Sequence, residues 1–462
     1  MQLERFVMRQ SACALLAFVL GIVALHAQDA KPNIVLIVSD DQGYADLGCC
    51  GRPGLKTPNL DRLAAEGVRL TNFYVTWPAC TPSRSSILTG RYPQRNGLYD
   101  MIRNNEVNYN HRFTEEEYAV SPEMTLGMDV REITIAQVLR QAGYATGVFG
   151  KWDGGRARRF MPRQRGFDTF FGFSNTGVDY FTHERYGIPS MYRGNERVKV
   201  EGYATDLFRR EAIEFLNKNS RRSFFLYVPF NAPHGASNLD RVGVQATDEY
   251  YRMYGDLPPT KEQRYLAATT QMDHAIGKIL DELDRLGVAD NTLVIFFSDN
   301  GGSGRVADNT PLRGHKAQMW EGGLRVPFIA RWPGRLPKSK VVNEFLTSLE
   351  LFPTLATVAG GELPEDVIYD GFDMLPILRG ETASQRTEMF WQRRSHKAAR
   401  YKHWKWVEAG DEGGLFDLTS DIGEQKDLSE SRPEILADLK ARWGAWRKEM
   451  DEAEPRGPFR DY

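Results

Sequence analysis

The chain has 462 residues, with 59 Lys and Arg against 61 Asp and Glu, for a formal net charge of −2. A balance this close to neutral, without a long basic block, excludes a protein that mainly binds nucleic acid or an anionic membrane surface. Hydrophobic residues make up 41% of the chain, which is enough for a large buried core and argues against disorder. Its four cysteines are too few for a disulfide scaffold. We expect one large domain and a smaller one.

The N-terminus predicts a segment that is removed on export. Two arginines precede an apolar run over residues 12–25, and the small residue Ala27 stands just before a polar stretch. This is the pattern of a signal peptide covering residues 1–27, and it predicts a periplasmic or secreted protein without a stable membrane anchor. The alternative is an N-terminal anchor, although a span needs roughly 20 apolar residues.

The predicted strands are short continuous apolar runs separated by helical patterns, which is typical of a doubly wound α/β fold with a mostly parallel sheet between helices. Helices are predicted over 133–142, from a Thr205 cap to about 217, and over 261–286. We assign residues 28–380 to this domain. The strand runs are 34–38, 145–149, 224–228, 293–297 and 326–330.

From about residue 382 the pattern changes. Residues 401–407 alternate like a half-exposed strand, residues 415–418 follow as another, and residues 433–449 have the pattern of a closing amphipathic helix. These features predict a small α+β domain with an antiparallel sheet over residues 381–462.

Polar side chains follow four of the predicted strands. In an open α/β sheet the ligand site lies beyond the carboxyl ends of the strands, so these positions are the first candidates for a functional site. Their side chains are acids, an amide, a lysine and a histidine. The residues are Asp40, Asp41, Lys151, Asp153, His234, Asp299 and Asn300.

Two of these strand ends carry hard oxygen ligands. Asp40, Asp41, Asp299 and Asn300 suit Ca²⁺ or Mg²⁺ better than a metal that prefers Cys and His. An Asp after a strand also commonly caps the next helix or turn. Two such pairs on one sheet edge favour metal binding.

Cys80 lies in the segment Pro-Ala-Cys-Thr-Pro-Ser-Arg, where Pro82 suits the first turn of a helix and Thr81 can cap it. Cys80 would then stand at a helix N-terminus, whose dipole would lower the pKa of the thiol and make it a nucleophile. The alternative is a small buried apolar cysteine. The residue pattern by itself leaves both open.

These residues and their neighbours resemble the formylglycine-dependent type I sulfatases of the alkaline-phosphatase-like superfamily, and the resemblance spans nearly all of the chain after the signal segment. Cys80 to Arg84 match the C-x-P-S-R signature that directs oxidation of the cysteine to Cα-formylglycine by a maturation enzyme. Further matches, in the family's order, are 39–44, 57–63, 88–92, 150–152, 232–234, 298–301 and 321–327.

The resemblance implies an alkaline-phosphatase-like fold and a secreted sulfuric ester hydrolase. It further implies that a divalent cation, usually Ca²⁺, is bound by the modified Cys80 and four strand-end residues. These four ligands would be Asp40, Asp41, Asp299 and Asn300.

The resemblance also implies roles for four other side chains. Arg84 would hold the hydrated formylglycine, Lys151 and Lys316 would bind the sulfate oxygens, and His234 would lie near the leaving oxygen and protonate it. By residue type alone, Lys316 is no different from a solvated lysine in a Gly-rich loop.

One position departs from the family pattern. The family usually has His-Leu-Gly after Gly-Lys-Trp, where this chain has Asp153-Gly-Gly. A carboxylate beside a bound sulfate is repelled, more strongly as the local dielectric falls. Asp153 could act as a base whose charge is balanced by Lys151 and the cation. It could instead turn away, or the site could be inactive.

The substrate is less well defined by the sequence. Residues 101–128, 156–165 and 167–192 lie between core elements and are expected to rim the pocket. Basic and aromatic residues there and just beyond, among them His183 and Arg193, suit a sugar ring with additional anionic groups, and equally suit ordinary surface or core packing. We expect a sulfated carbohydrate. A phosphonate monoester or phosphodiester hydrolase and a catalytically silent protein that binds sulfated glycans stay open.

Overall fold

The computed structural model describes residues 31–102, 127–304 and 306–454. The predicted signal segment and most of the segment 101–128 lie outside the described residues. The strands are β1 Asn33–Ser39, β2 Val68–Leu70, β3 Phe73–Tyr74, β4 Ala145–Lys151, β5 Thr169–Phe173, β6 Glu184–Arg185, β7 Ile188–Pro189, β8 Met191–Arg193, β9 Glu196–Arg197, β10 Phe224–Pro229, β11 Thr292–Ser298, β12 Phe328–Arg331, β13 Lys340–Val342, β14 Leu346–Thr347, β15 Glu388–Arg393, β16 His396–Tyr401, β17 Trp404–Ala409 and β18 Glu412–Asp417.

The α-helices are α1 Pro58–Ala65, α2 Cys80–Thr89, α3 Pro93–Asn96, α4 Ile135–Gln141, α5 Ala204–Asn219, α6 Asp248–Tyr251, α7 Lys261–Arg285, α8 Glu321–Leu324, α9 Leu351–Ala359, α10 Leu375–Arg379 and α11 Pro433–Glu452. Short 3₁₀ helices cover Gly48–Cys50, Arg158–Phe160, Pro162–Arg165, Ala289–Asn291 and Ser348–Glu350. Within the described residues, no helix combines the length and the apolar character needed to cross a bilayer.

The large sheet has ten strands in the order β13-β2-β12-β11-β1-β10-β4-β5-β8-β9. Its centre confirms the predicted parallel arrangement, because β11, β1, β10, β4 and β5 pair in parallel. The run at 326–330 forms β12, which is antiparallel to β11. The fold is therefore a mixed α/β fold around a mostly parallel sheet, as predicted.

Both faces of the central strands of this sheet are buried, which explains why those strands are continuous apolar runs. In β1, Ile34, Leu36 and Val38 belong to the hydrophobic core on one face, while Val35 and Ile37 belong to the core on the other. Side chains of successive strand residues point to opposite faces, so a strand covered on both sides needs apolar residues at every position.

The helices predicted over 133–142, 205–217 and 261–286 form, and one of their three starts needs correction. Thr134 and Thr260 cap α4 and α7, and each takes part in a capping box with a glutamine three residues later. Thr205 does not cap α5, because this helix already begins at Ala204, after Tyr203.

The small C-terminal sheet is antiparallel, in the order β15-β16-β17-β18. Tryptophan side chains of its strands pack with those of α11 in a third core, which also includes Tyr74 and Trp320 of the large domain. The strand predicted over 401–407 is interrupted, because β16 ends at Tyr401 and β17 begins at Trp404. Lys402, with a φ of 53°, lies in the turn between them.

A buried ion cluster joins the small sheet to the large domain. Nζ of Lys405, in β17, lies 2.9 Å from a carboxylate oxygen of Glu321 and 2.9 Å from one of Glu424. The side chains of all three residues are fully buried. Glu321 also accepts a hydrogen bond from the hydroxyl of Tyr74. The segment around α8 is thus held to β17 by an ion pair and to β3 by a hydrogen bond.

Candidate active site

Parallel pairing brings the predicted site residues to one edge of the large sheet. Ser39, the last residue of β1, is in register with Ser298, the last residue of β11. The residues that follow, Asp40 and Asp299, therefore emerge side by side, and the N–H of Asp299 donates to the carbonyl oxygen of Ser39 at 3.1 Å. The site is thus positioned by the most regular part of the fold.

Four side chains converge just beyond this edge. Asp40, Asp41, Cys80 and His234 each offer one ligand atom, and these atoms lie within 4.8 Å of one another. Sγ of Cys80 lies 3.3 Å from Oδ1 of Asp40. Three of the five predicted metal ligands are therefore in one cluster.

The other two predicted ligands border the cluster. Oδ1 of Asp299 accepts the N–H of Asp41 at 3.3 Å, and Nδ2 of Asn300 donates to Oδ1 of Asp41 at 2.8 Å. Oδ1 of Asn300 is buried and has no hydrogen-bond partner among the described residues. Because buried polar atoms are normally paired, a free amide oxygen beside three carboxylates fits a hard divalent cation.

Two lysine side chains flank residue 80. Nζ of Lys151 lies 2.7 Å from Oδ2 of Asp40, and Nζ of Lys316 lies 2.6 Å from Oδ1 of Asp41 and 3.4 Å from Sγ of Cys80. Burial acts to raise the pKa of Asp40, but the charge of Lys151 and of the cations beyond it holds this pKa well below its usual range. The two ammonium groups make the surroundings of residue 80 suitable for an anion.

Arg84 lies on α2 four residues after Cys80 and is fully buried. Its Nε and one terminal nitrogen each lie 2.8 Å from Oδ2 of Asp299. The hydroxyl of Ser83 donates to the carbonyl oxygen of Asp299 at 2.6 Å. These contacts fix α2 against the end of β11 and so fix the position of residue 80.

Cys80 begins α2, as predicted, but its thiol has the opposite electrostatic character. Burial, together with the negative charge of Asp40, raises the pKa of the Cys80 thiol well above its usual value. Of the two alternatives that the residue pattern left open, the structure therefore favours the buried cysteine over the activated thiol. Thr81 is not the cap either, because the helix is preceded by Ala79. A protonated, buried thiol is a poor nucleophile as it stands.

Asp153 lies inside the site. Its Oδ1 accepts a 2.8 Å hydrogen bond from the hydroxyl of Thr81, and its Oδ2 lies 3.7 Å from Nζ of Lys151. The residue is buried, and its φ of 53° is in the left-handed region. Burial raises the pKa of Asp153 even though Lys151 and Arg84 oppose this shift.

His234 lies on the other side of the cluster. Its Nδ1 is 2.6 Å from the carbonyl oxygen of Gly235, and its Nε2 is 3.7 Å from Oδ2 of Asp41. Since Nδ1 must donate to that carbonyl, Nε2 of the neutral ring carries no proton. Burial lowers the pKa of His234 to about 4, so the neutral ring predominates at neutral pH.

Two predicted substrate-binding residues have their contacts elsewhere. Both ring nitrogens of His183 are within 3.1 Å of backbone carbonyl oxygens, those of Val200 and Gly202, and the side chain is buried. Arg193 forms a bidentate ion pair with Glu211, at 2.6 and 2.8 Å. The structure does not bring either side chain to the cluster.

Sequence reasoning missed the residue that holds the backbone of His234. The hydroxyl of Tyr180 donates to the carbonyl oxygens of Asn231 and His234, at 3.0 and 2.8 Å. Its ring is fully buried and stacks on that of Tyr203. No sequence signal identifies it, because it is one of several tyrosines in a segment without regular periodicity.

Comparison with known proteins agrees with this geometry. The family model described as Sulfatase matches residues 32–361, and the model described as N-sulphoglucosamine sulphohydrolase, C-terminal, matches residues 315–449. N-acetylgalactosamine-6-sulfatase of Canis lupus familiaris is 34% identical over 86% of this chain and 77% of its own. Arylsulfatase J of Mus musculus is 30% identical over 91% of this chain and 77% of its own.

Solved structures give the same result. The crystal structure of Ps i-CgsB in complex with k-i-k-neocarrahexaose superposes with a TM-score of 0.79 and is 31% identical, with coverage of 90% of this chain and 92% of that chain. The fold is accordingly the alkaline-phosphatase-like fold of sulfatases. The chain belongs to the sulfatase family and is a sulfuric ester hydrolase.

Proposed function

We propose that this protein removes sulfate from a sulfated carbohydrate outside the cytoplasm, with Cα-formylglycine derived from Cys80 and a bound divalent cation, Ca²⁺ or less favourably Mg²⁺. The observation that carries the proposal is the position of residue 80, between the carboxylate of Asp40 and the ammonium of Lys316. The carbohydrate substrate is supported by the similarity to N-acetylgalactosamine-6-sulfatase. The predicted signal segment supports the location.

The residues of the cluster fit both the divalent cation and a formylglycine at position 80. Asp40, Asp41, Asp299 and the free Oδ1 of Asn300 would hold the cation together with modified residue 80. The raised pKa of the unmodified thiol argues that Cys80 is not itself the nucleophile. When present, the hydrated aldehyde supplies the attacking hydroxyl and the cation polarises the sulfuryl oxygens.

The chain's own side chains supply binding and proton transfer. Lys151 and Lys316 bind and neutralise the sulfuryl oxygens, where positive charge stabilises the developing negative charge. Arg84 orients residue 80 through its fixed contact with Asp299. His234 in its protonated form, with a proton on both ring nitrogens, delivers the proton of Nε2 to the leaving oxygen. Asp153 accepts a proton from residue 80 at Oδ2, which has no hydrogen-bond partner among the described residues.

The proposal is tested by mass spectrometry of the peptide that contains residue 80, from protein produced together with a formylglycine-generating enzyme. We expect an aldehyde in place of the thiol, and the Cys80→Ala variant is the inactive control. Matched assays with a sulfate ester and a phosphodiester then test the reaction. Faster turnover of the phosphodiester, or aldehyde-containing protein that leaves sulfated sugars intact, would contradict the proposal.

A further inference from the structure

A cavity of about 240 Å³ lies beside the cluster, on the side of His234. Its lining includes Asp41 and both neighbours of His234, Pro233 and Gly235. His234 is the residue to which we assign protonation of the leaving oxygen, so the cavity adjoins the part of the substrate that departs. Sites for drug-sized ligands measure about 300–1,000 Å³, so this cavity suits a single ring or substituent.

The cavity is lined by three cationic side chains and one acidic one. The cations are Arg241, Lys261 and Arg264, and the acid is Asp41, which already contacts Lys316. None of the three cations forms an ion pair with any residue in the described ranges 31–102, 127–304 and 306–454. Arg264 contacts Tyr251, whose hydroxyl lies 3.4 Å from one of its terminal nitrogens and whose ring centre lies 5.5 Å from its guanidinium carbon. The cavity therefore has an uncompensated positive charge.

Lys261 and Arg264, at the start of α7, differ in this respect from the cations farther along the helix. Farther along the same helix, Lys278 has Asp281 and Arg285 has Glu282 as ion-pair partners. Lys261 and Arg264 lie in the first turns of the helix, where the macrodipole disfavours cations. Helix stability therefore does not account for these two charges, and both line a cavity next to the reacting groups, where an anionic ligand can bind them.

We propose that Arg241, Lys261 and Arg264 bind a second anionic group of the substrate, a carboxylate or sulfate on the sugar released with the leaving oxygen or on its neighbour. The substrate class is then a glycan with at least two negative charges close together. This inference rests on the function proposed above.

The test uses the full-length, aldehyde-containing enzyme and compares substrates that differ only in the second charge. These are a monosulfated N-acetylhexosamine, the corresponding disulfated sugar, and the monosulfated sugar linked to a uronic acid. We expect kcat/KM to be highest for one of the doubly charged substrates. The disulfated and uronate arms distinguish a sulfate from a carboxylate as the second group.

The double variant Arg241→Gln/Lys261→Gln should lose at least ten times more kcat/KM on the preferred doubly charged substrate than on the monosulfated sugar, mainly through KM. Lys261→Gln alone should also raise the melting midpoint, because it removes a cation from a helix N-terminus. Lys278→Gln, on the same helix, is the control and should change neither quantity appreciably. Equal losses on singly and doubly charged substrates would overturn the inference.

The two proposals fail in different ways. If the wild-type enzyme hydrolyses none of the sulfate esters, the proposed function is wrong, and binding still tests the inference. In a Cys80→Ser background, the disulfated sugar or the uronate-linked sugar should raise the melting midpoint more than the monosulfated sugar. The double variant should abolish that difference, and its persistence would overturn the inference.

Discussion

The hydroxyl of Thr81 donates a 2.8 Å hydrogen bond to Oδ1 of Asp153, and so joins the start of α2 to the residues that follow β4. This bond aims the carboxylate of Asp153 into the site beside Lys151. Of the three alternatives for this departure from the family pattern, an outward-turned side chain is therefore wrong. The contact favours a role for Asp153 in proton transfer.

Asp153→Asn should lower kcat by about 100-fold or more, because a positioned acid or base contributes about 10²–10⁴ to the rate. Metal content, measured by inductively coupled plasma mass spectrometry, should not change. Thr81→Val keeps the carboxylate and removes only its orienting hydrogen bond, so it should have a smaller effect. Unchanged kinetics in Asp153→Asn would remove Asp153 from the reaction.

Divalent cations should stabilise the protein, because a ligand at 100 times its Kd adds about 2.7 kcal/mol to the free energy of unfolding. Chelation should lower the melting midpoint, and Ca²⁺ should restore it more fully than Mg²⁺. Asn300→Leu removes the free amide oxygen and should reduce the Ca²⁺-induced shift. Asn217→Leu, at an exposed position, is the control. An equal shift in Asn300→Leu would exclude this oxygen as a ligand.

The role of His234 predicts a dependence on the leaving group. With a pKa of about 4, the protonated form required of an acid is lost as pH rises above that value, so kcat/KM for a sugar sulfate should fall about tenfold per pH unit. An aryl sulfate, whose leaving group needs less protonation, should show a flatter profile. His234→Gln should likewise impair the sugar sulfate more. Parallel profiles for both substrates would contradict proton delivery by His234.

The buried ion cluster should be critical for stability. Lys405→Met leaves the buried carboxylate of Glu424 without the cation that pairs with it and should cost about 3–5 kcal/mol, measured by urea unfolding. Lys440→Met, an exposed lysine near Trp406, should change stability by no more than about 0.5 kcal/mol. A small effect at Lys405 would show that water or other groups compensate the charge.

The same cluster predicts a pH dependence. Burial raises the pKa of Glu424 to about 7 from an ordinary value of 4.5. As pH rises from about 4.5 to 7, the unfolded chain releases a proton that the folded chain retains, so this group's contribution to stability falls and then levels off. Glu424→Gln cannot ionise, so its stability relative to wild type should rise over the same interval. If the difference in free energy of unfolding between Glu424→Gln and wild type stays constant over this pH interval, the raised pKa of Glu424 is contradicted.

The sequence predicts those parts of the site that follow from the apolar pattern of a strand and from the parallel pairing of neighbouring strands. Continuous apolar runs identify β1 and β11, and parallel pairing places Asp40 beside Asp299 without further information. The character of the Cys80 thiol could not be predicted in this way. Its pKa depends on burial and on Asp40, which only the packed structure reveals, and these outweigh the helix N-terminus.

Other features depend on contacts between distant segments. A Cβ atom on Gly301 would lie 1.8 Å from the carbonyl oxygen of Gly322. The backbones of the matched segments 298–301 and 321–327 therefore approach so closely that position 301 requires glycine. The side chain of Arg193 is satisfied by Glu211, on a helix that no local pattern pairs with β8. The basic residue types of His183 and Arg193 therefore did not identify side chains that line the site.

The contact of Glu424 with the first residue of α8 changes how the chain can be divided. Lys316, which binds Asp41, precedes α8 by a few residues, and the N–H of Glu321 donates to the Glu424 carboxylate at 2.6 Å. The C-terminal segment thus helps to fix the loop that carries Lys316, a proposed sulfate ligand. Replacement of the C-terminal segment of this protein should therefore disturb the position of Lys316 unless the new segment keeps the partners of Glu321.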